Sequence, residues 1–170
     1  RNYATTVLKE YLIKGFAMDD EKLKNLGGGN YFKELLDRIR DIRSSEKVFY
    51  RQILDLFATS TDYNSSSEEA KSFFATVQNK MHYAIHHNTA SELIYKRVDS
   101  DKEFMGLTNF KGELPTLSEA KIAKNYLAEN ELKRLNALVS GYLDFAEMQA
   151  QKEIPMTMKD WVAHVDRILT

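Results

Sequence analysis

The sequence predicts an all-α protein, a single compact bundle of about seven to nine helices with one long aromatic loop. Three observations lead to this prediction. The 170 residues contain only two prolines, and 43% of them are hydrophobic. Apolar residues recur at spacings of three and four along most of the chain, the period of a helix with one buried face. Evidence for strands is nearly absent, so no sheet is expected.

The first 29 residues are predicted to form an N-terminal helical arm. Its first helix should end near Gly15, where glycine accepts left-handed geometry. Asp19 caps a short turn, and three consecutive glycines at 27–29 form a flexible joint. The whole chain is expected to be one helical domain, the C-terminal part of a longer protein, because it opens on Arg1 rather than Met. The first helix is marked by apolar residues: Tyr3, Val7, Leu8, Tyr11 and Leu12.

The central helices follow from apolar stripes and capping residues. From Asn30 to about Thr61 the pattern predicts one long helix or two close ones, with a break at Ser44 and Ser45. Ser66 stands three residues before Glu69, a spacing that opens the next helix. That helix should bury one apolar face, made of Phe73, Val77, Met81 and Ile85.

The remaining helices are predicted by further capping pairs. The helix after Thr116 is expected to run through Tyr126, and a long helix from about Glu129 is stopped by Pro155. The segment from Asp99 to Thr116 lacks a helical period and is expected to fold back on the helices as a loop. The pairs are Thr89 with Glu92, Thr116 with Glu119, and Thr157 with Asp160.

Composition restricts the class of protein. The chain has no cysteine, a formal net charge of −1 and no apolar run long enough to span a membrane. Stability must therefore come from packing, as suits a cytoplasmic protein. A charge near zero argues against a domain that holds nucleic acid by bulk positive charge, so such binding would have to be local. No cofactor and no metal are expected.

A histidine pair is the first candidate for function. His82 and His86 are four apart, so their rings could project from adjacent helical turns as two zinc ligands do. A zinc site needs more ligands, and no H-E-x-x-H motif is present. The alternative places both on the polar face, opposite the apolar stripe. A degenerate Fic-like site at IHHNTASELI is a further alternative, although the H-x-F-x-x-G-N-x-R pattern is missing.

A basic stripe is the second candidate, with residues spaced by three and four. An unbroken helix would align these cations toward the phosphates of a nucleic acid. Acidic neighbours allow the ordinary alternative, a solvated face with ion pairs along the helix. The stripe consists of Arg40, Arg43, Lys47 and Arg51.

Two carboxylates are the third candidate. Asp144 and Glu147 are three apart on one helix and could divide general-acid and general-base roles if burial separated their pKa values. The alternatives are surface charge or a hydrogen-bond network that ties the long helix to the aromatic loop.

The loop itself is the fourth candidate. Asn109, Phe110 and Lys111 combine an amide, a stacking ring and a cation, which suits the binding of a polymer or a protein partner. The alternative is that the apolar residues of the loop plug the bundle, namely Phe104, Met105 and Leu107.

Several short sequence segments, taken in their order along the chain, are similar to segments of a known family. The segments are YLIKGFAMDDEKL, GGGNYF, IRSSEKVFY, FFATVQNKMHYAIHHNTASELIYKR, MGLTNFKG, AKNYL and YLDFAE. In this order they resemble the C-terminal region of RhuM-type virulence-associated proteins of bacterial pathogenicity islands and prophages. The resemblance implies a DNA-binding unit upstream and a regulatory or dimerising role here, and it supplies no catalytic residues. MHYAIHHNTASEL departs from the glycine-containing turn of the family.

Two functions follow as hypotheses. The first is a non-enzymatic helical interaction or regulatory domain that supports a DNA-binding regulator through a homodimer or another protein partner, without a membrane. The second is a nucleic-acid- or nucleotide-processing enzyme. The enzyme requires His82 or His86 to converge with Asp144 and Glu147 in one pocket near the aromatic loop.

Overall fold

The computed structural model describes residues 2–25, 30–62 and 67–169. Within these ranges the chain forms nine α-helices and no strand, which confirms the predicted all-α bundle. The predicted glycine joint at 27–29 and the predicted cap at Ser66 lie outside the described residues.

The helices are named in chain order. They are α1 (Asn2–Lys14), α2 (Asp20–Asn25), α3 (Asn30–Arg43), α4 (Glu46–Thr59), α5 (Ser67–His86), α6 (Ala90–Arg97), α7 (Leu117–Ala120), α8 (Glu129–Gln151) and α9 (Met158–Leu169). Two short 3-10 turns occur at Glu103–Gly106 and Ala123–Tyr126. Internal packing divides the chain into two compact units, residues 1–38 (unit 1) and residues 39–170 (unit 2). The single domain over 1–170 and the arm over 1–29 stay predictions.

The three predicted capping pairs begin helices as expected. At α6 the Thr89 hydroxyl accepts from the Glu92 amide at 3.4 Å, and the Glu92 carboxylate accepts from the Thr89 amide at 2.8 Å. These bonds lower the pKa of the Glu92 carboxyl. The same reciprocal arrangement opens α7 and α9, at Thr116 with Glu119 and at Thr157 with Asp160.

The pattern from Asn30 to Thr61 forms two helices rather than one. α3 ends at Arg43, and Ser45 adopts an extended conformation with φ −62° and ψ 138° before α4 begins. The predicted break at Ser44 and Ser45 is therefore present.

α7 is shorter than predicted, because it ends at Ala120 instead of continuing through Tyr126. Side chains donate hydrogen bonds to the carbonyl groups that would accept from backbone amides in a longer helix. The Asn125 amide donates to the Glu119 carbonyl at 2.9 Å, and the Tyr126 hydroxyl donates to the Ala120 carbonyl at 2.9 Å. The irregular path buries Asn125 and Tyr126 in unit 2.

α5 lies at the centre of the core of unit 2, where α4, α6, α8 and α9 pack against it. Its predicted apolar stripe is confirmed, because Phe73, Val77 and Met81 are buried and Ile85 packs against them half-buried. The other helices contribute large buried side chains to the same core, including Ile53, Leu93, Tyr142, Trp161 and Val165.

Unit 1 leaves large apolar side chains in solvent. Each of nine such side chains in its described part is 47–77% exposed. A shallow cavity of about 280 Å³ is lined by Ala17, Met18, Asp19, Lys22, Leu23, Tyr31 and Leu35. The nine side chains, here called the unit-1 apolar surface, are Tyr3, Leu8, Tyr11, Leu12, Ile13, Phe16, Met18, Tyr31 and Phe32.

None of the helices in the described ranges combines the length and the hydrophobicity that crossing a membrane requires.

Candidate functional site

The break between α3 and α4 places a serine inside unit 2. Ser44 is 6% exposed, and its hydroxyl donates to the Asn136 side-chain carbonyl on α8 at 2.5 Å. The Lys124 ammonium donates to the Ser44 hydroxyl and to the Asp41 carboxylate, both at 2.9 Å. The Asn136 amide donates to the same carboxylate at 3.3 Å. These four residues, the Ser44 cluster, join three separate segments of the chain.

The Ser44 cluster contains a serine next to a lysine, a pair that serves as nucleophile and base in some hydrolases. Here the lysine ammonium donates to the Asp41 carboxylate as well as to the Ser44 hydroxyl. An ammonium that donates to the hydroxyl has no lone pair with which to accept the hydroxyl proton. The geometry therefore suits a structural tie between helices rather than a nucleophile.

A small cavity of about 20 Å³ lies beside the Ser44 cluster. Such a volume holds about one water molecule, whereas ligand pockets are usually about 300–1,000 Å³. Two of the residues that line this cavity are hydrogen-bonded to each other, since the Gln78 side-chain amide donates to the Glu46 carboxylate at 3.2 Å. The lining residues are Ser44, Glu46, Phe49, Gln78, Met81, His82, Lys124, Leu135 and Val139.

The predicted position of His82 on the polar face is wrong. The side chain is only 2% exposed, and its Nδ1 lies 3.0 Å from Nε2 of His86, which is half-buried. The error arose because four helices surround α5, so that part of its polar stripe is also covered. Burial and the nearby His86 lower the pKa of the His82 ring to about 4. Burial first, and then the Arg97 charge, lower the pKa of His86.

The lowered pKa values favour the neutral form of both imidazoles, in which the N–H of one ring donates to the unprotonated nitrogen of the other. In the described part of the chain no group of three or more histidine or carboxylate side chains is arranged to hold a metal ion.

An ion pair closes the end of the bundle beside His86. Arg97 on α6 donates to both Glu131 carboxylate oxygens at 2.6 Å and to the Tyr126 carbonyl at 2.7 Å. The Glu131 carboxylate also accepts from the Ala128 amide at 2.8 Å, at the start of α8. The Arg97 guanidinium is the main cause that lowers the pKa of Glu131 to about 2. This bidentate geometry fixes the end of α6 against the start of α8.

The loop from Asp99 to Thr116 folds back on the helices, as predicted. Thr108 donates from its amide to the Asn125 carbonyl at 2.7 Å and from its hydroxyl to the Leu127 carbonyl at 2.6 Å. The Lys111 amide donates to the Glu119 carboxylate at 2.8 Å. Leu107 is buried at 5% exposure, so one residue of the loop belongs to the apolar interior.

A left-handed turn stands at the centre of this loop. Phe104, Met105 and Gly106 have φ values of 52°, 55° and 83°. A side chain at Gly106 would place its Cβ 2.5 Å from the Arg97 carbonyl oxygen, so only glycine fits there. The Phe104 ring packs on Phe110 with centroids 4.7 Å apart. Leu107 matches the interpretation that the loop plugs the bundle, but Met105 does not, since it is 43% exposed.

The polar members of the loop candidate point away from the interior. Asn109 and Lys111 are exposed, and Phe110 is half-buried against Phe104. Binding of a polymer or partner by these residues stays a prediction.

The basic stripe does not lie on one unbroken helix, because α3 and α4 are separate. Arg40 and Arg43 belong to α3, whereas Lys47 and Arg51 belong to α4. Arg43 also pairs with Asp144 at 2.5 Å. The break at the Ser44 cluster therefore removes the alignment on which this hypothesis depended, and nucleic-acid binding by the four residues stays a prediction.

The carboxylate candidates lie far along α8 from Glu131, the residue of that helix that interacts with His86. His86 is electrostatically coupled to Glu131 near the start of that helix. Asp144 follows Glu131 by thirteen residues, which is about 20 Å along a helix axis. The Asp144 side chain is 64% exposed and pairs with Arg43, and Glu147 is exposed. The predicted convergence in one pocket is not formed, and neither is a buried network from these acids to the loop.

Sequence reasoning did not identify the Ser44 cluster as a unit. Lys124 and Asn136 lie more than 75 residues away from Ser44, so no local spacing connects them. The one available signal was the interruption of the helical pattern at Ser44 and Ser45.

The unit-1 apolar surface has a regular arrangement on α1. Four of its nine members lie, together with Ala4 and Val7, on two rows with a spacing of four, which are the ridges that helices use to pack together. No side chain of residues 3–14 is buried. The rows are Tyr3, Val7 and Tyr11, and Ala4, Leu8 and Leu12.

Comparison with known proteins gives one positive result. No curated protein matches the chain, and no solved structure does. The model of the virulence protein RhuM family matches residues 1–170, the whole of the sequence. The chain therefore belongs to the RhuM family of virulence proteins.

Proposed function

We propose that this chain is a non-catalytic helical interaction domain in which unit 2 is a stable scaffold and unit 1 contacts another protein. The unit-1 apolar surface carries this proposal. Its nine side chains are each 47–77% exposed. Since a large apolar side chain has about 150–250 Å² of surface, the exposed area is on the order of 1,000 Å². A standard protein interface buries about 800 Å² on each partner.

Summed over α1, the segment that follows it and α3, this area exceeds the roughly 300–600 Å² of the largest contiguous apolar patch on a typical monomeric protein. Contact with a protein partner would remove this surface from water, which is the main driving force of protein association. The proposal thus assigns a role to the part of the chain that contributes least to the core.

The wider role in this proposal is regulatory. The sequence resemblance to RhuM-type proteins implies a DNA-binding unit upstream, so an interaction domain beside it would control the assembly of a DNA-associated bacterial regulator in the cytoplasm. The resemblance supports this role by association only.

The enzyme hypothesis has weaker support. Glu131, which interacts electrostatically with His86, and Asp144 are about 20 Å apart along the axis of α8. The cavity beside His82 has room for about one water molecule. Neither feature suits the binding of a nucleotide or a nucleic-acid strand.

Site-specific photo-crosslinking in cells tests the proposal. A photoreactive phenylalanine replaces Tyr11 on α1 in one variant and Tyr95 on α6 in a control variant. Both tyrosines are exposed, at 57% and 85%. We expect position 11 to give a discrete protein adduct that position 95 does not give. Equal labelling from both positions, or no adduct from position 11, would contradict the proposal.

A further inference from the structure

We infer that the small cavity beside the Ser44 cluster is the binding site of a single water molecule, which accepts a hydrogen bond from Nε2 of His82 and donates one to the Glu46 carboxylate. This site lies in unit 2, and the inference does not depend on the unit-1 apolar surface. Three features support it: the size of the cavity, the ring nitrogens of the histidine pair and the polar groups of the cavity wall.

The cavity has the size and the burial of a water site. Its volume of about 20 Å³ exceeds the roughly 10–15 Å³ that one water molecule requires. His82 and Val139, which line it, are each 2% exposed, so these residues belong to the interior of unit 2. Glu46 also lines the cavity and is exposed, which gives water a path from the solvent.

The histidine pair leaves one ring nitrogen of His82 for the cavity. Nδ1 of His82 lies 3.0 Å from Nε2 of His86 and is occupied by that contact. Nε2 of His82 has no hydrogen bond to a described residue, yet it is not fully enclosed, so a small molecule can reach it. Since a polar group that is buried without a partner costs free energy, this nitrogen favours a bound water.

The protonation of the pair directs an N–H group toward the cavity. Nδ1 of His86 is enclosed and has no hydrogen-bond partner among the described residues. A proton there would be a buried donor without an acceptor, which among backbone groups is rarer than an acceptor without a donor. The His86 proton is therefore on Nε2 and is donated to Nδ1 of His82. The neutral His82 ring then carries its own proton on Nε2, from which it donates to the water.

The cavity wall provides the other hydrogen bonds of the water. The Glu46 carboxylate accepts from the Gln78 amide and has lone pairs for a second donor. The Lys124 ammonium uses two of its three hydrogens within the Ser44 cluster, and the third can be donated to the water oxygen. With His82 these groups give the water three partners, the usual number for a buried water. The bound water thus links the Ser44 cluster to the histidine pair.

A high-resolution crystal structure of the full chain is the first test. It should show an ordered water within about 3.2 Å of Nε2 of His82 and of a Glu46 carboxylate oxygen. Nitrogen NMR of the imidazole rings at neutral pH should show both His82 and His86 protonated on Nε2. A cavity without an ordered water, or a neutral His82 ring protonated on Nδ1, would overturn the inference.

Filling the cavity distinguishes a bound water from a dry cavity. Val139→Ile adds a methylene group to the wall, which would displace the water and leave the His82 N–H without an acceptor. The equilibrium constant for folding should then fall by roughly 10-fold. The same substitution beside a dry cavity would raise stability, as cavity filling commonly does. Urea unfolding measures the change.

The matched control repeats Val139→Ile together with His82→Phe, which keeps a ring at this position but has no nitrogen. In that background Val139→Ile should change the folding constant by less than about 2-fold, because no donor is left unpaired. A loss that came from overpacking would persist beside the phenylalanine ring. Stabilisation by Val139→Ile alone, or an equal loss in both backgrounds, would contradict a bound water.

Discussion

Helices α5 and α1 carry similar apolar residues but differ in burial. Val77 and Met81 of α5 are 0% and 1% exposed, whereas Leu8 and Leu12 of α1 are 58% and 73% exposed. Four neighbouring helices pack on α5, so its side chains contribute to the stability of unit 2. The side chains of α1 are left available for contact. The difference shows that an apolar stripe predicts a helix but not whether its own chain covers that stripe.

The largest effect on stability is expected from shortening a buried side chain in the apolar stripe of α5. Met81→Ala should lower the free energy of unfolding by about 3 kcal/mol, because it leaves a cavity among packed helices. Leu12→Ala should change it by less than about 0.5 kcal/mol in dilute protein, since the leucine is already solvated. Urea unfolding measures both. Equal destabilisation by the two substitutions would remove the distinction between α5 and α1.

The second effect concerns pH and the buried His82. Its pKa is about 4 in the folded chain, against an ordinary value of 6.5. Between these values the unfolded chain binds more protons, so stability falls as the pH is lowered, by about 2 kcal/mol at pH 5. Burial of His86 acts in the same direction. The lowered pKa of the Glu131 carboxyl also makes stability fall as the pH is lowered, but only below its ordinary pKa of 4.5.

Urea unfolding between pH 7 and pH 4.5 measures this dependence. His82→Leu should flatten it, because the substitution removes the group that takes up the proton on unfolding. His87→Gln is the control at an exposed histidine of the same segment, and it should keep the wild-type slope. An unchanged slope in His82→Leu would show that other groups cause the dependence.

The smallest effect distinguishes two glycines of the aromatic loop. Gly106 and Gly112 have similar positive φ values of 83° and 79°. A Cβ at Gly106 would lie 2.5 Å from the Arg97 carbonyl oxygen, whereas a Cβ at Gly112 meets nothing within 4 Å. Gly112→Ala should cost about 1 kcal/mol for its backbone conformation, and Gly106→Ala at least about 1 kcal/mol more. Thermal unfolding of both variants gives the difference directly.

Equal costs at the two glycines would mean that the loop can move away from α6. That result would place the loop with the accessible parts of the molecule rather than with the enclosed region around α5.

Local signals predicted most of the helices. The pairs at Thr89 and Glu92 and at Thr157 and Asp160 marked true helix starts, because a capping bond forms within one turn of the chain. The early end of α7 was not predictable in this way. Its cause is a bond from the Asn125 side chain to the Glu119 carbonyl, which competes with the helical pattern.

The candidate site was less predictable than the fold. Four-residue spacing placed His82 and His86 on the same helix, and the two rings are in contact at 3.0 Å. Their burial depends on how many helices surround α5, which a stripe on one helix does not reveal. The Ser44 cluster needs three segments to meet, so none of its bonds leaves a pattern in nearby residues.

The sequence by itself determined the all-α class, the break at Ser44, the capped helix starts and the apolar stripe of α5, because each depends on interactions within a few residues or on the helical period. Several short segments in the same order along the chain also showed the resemblance to the RhuM family. Only the tertiary structure decided that His82 is enclosed, that Asp144 pairs with Arg43 and that α1 is exposed. These outcomes depend on contacts between residues far apart in the chain, whose partners are chosen by the packing of whole helices.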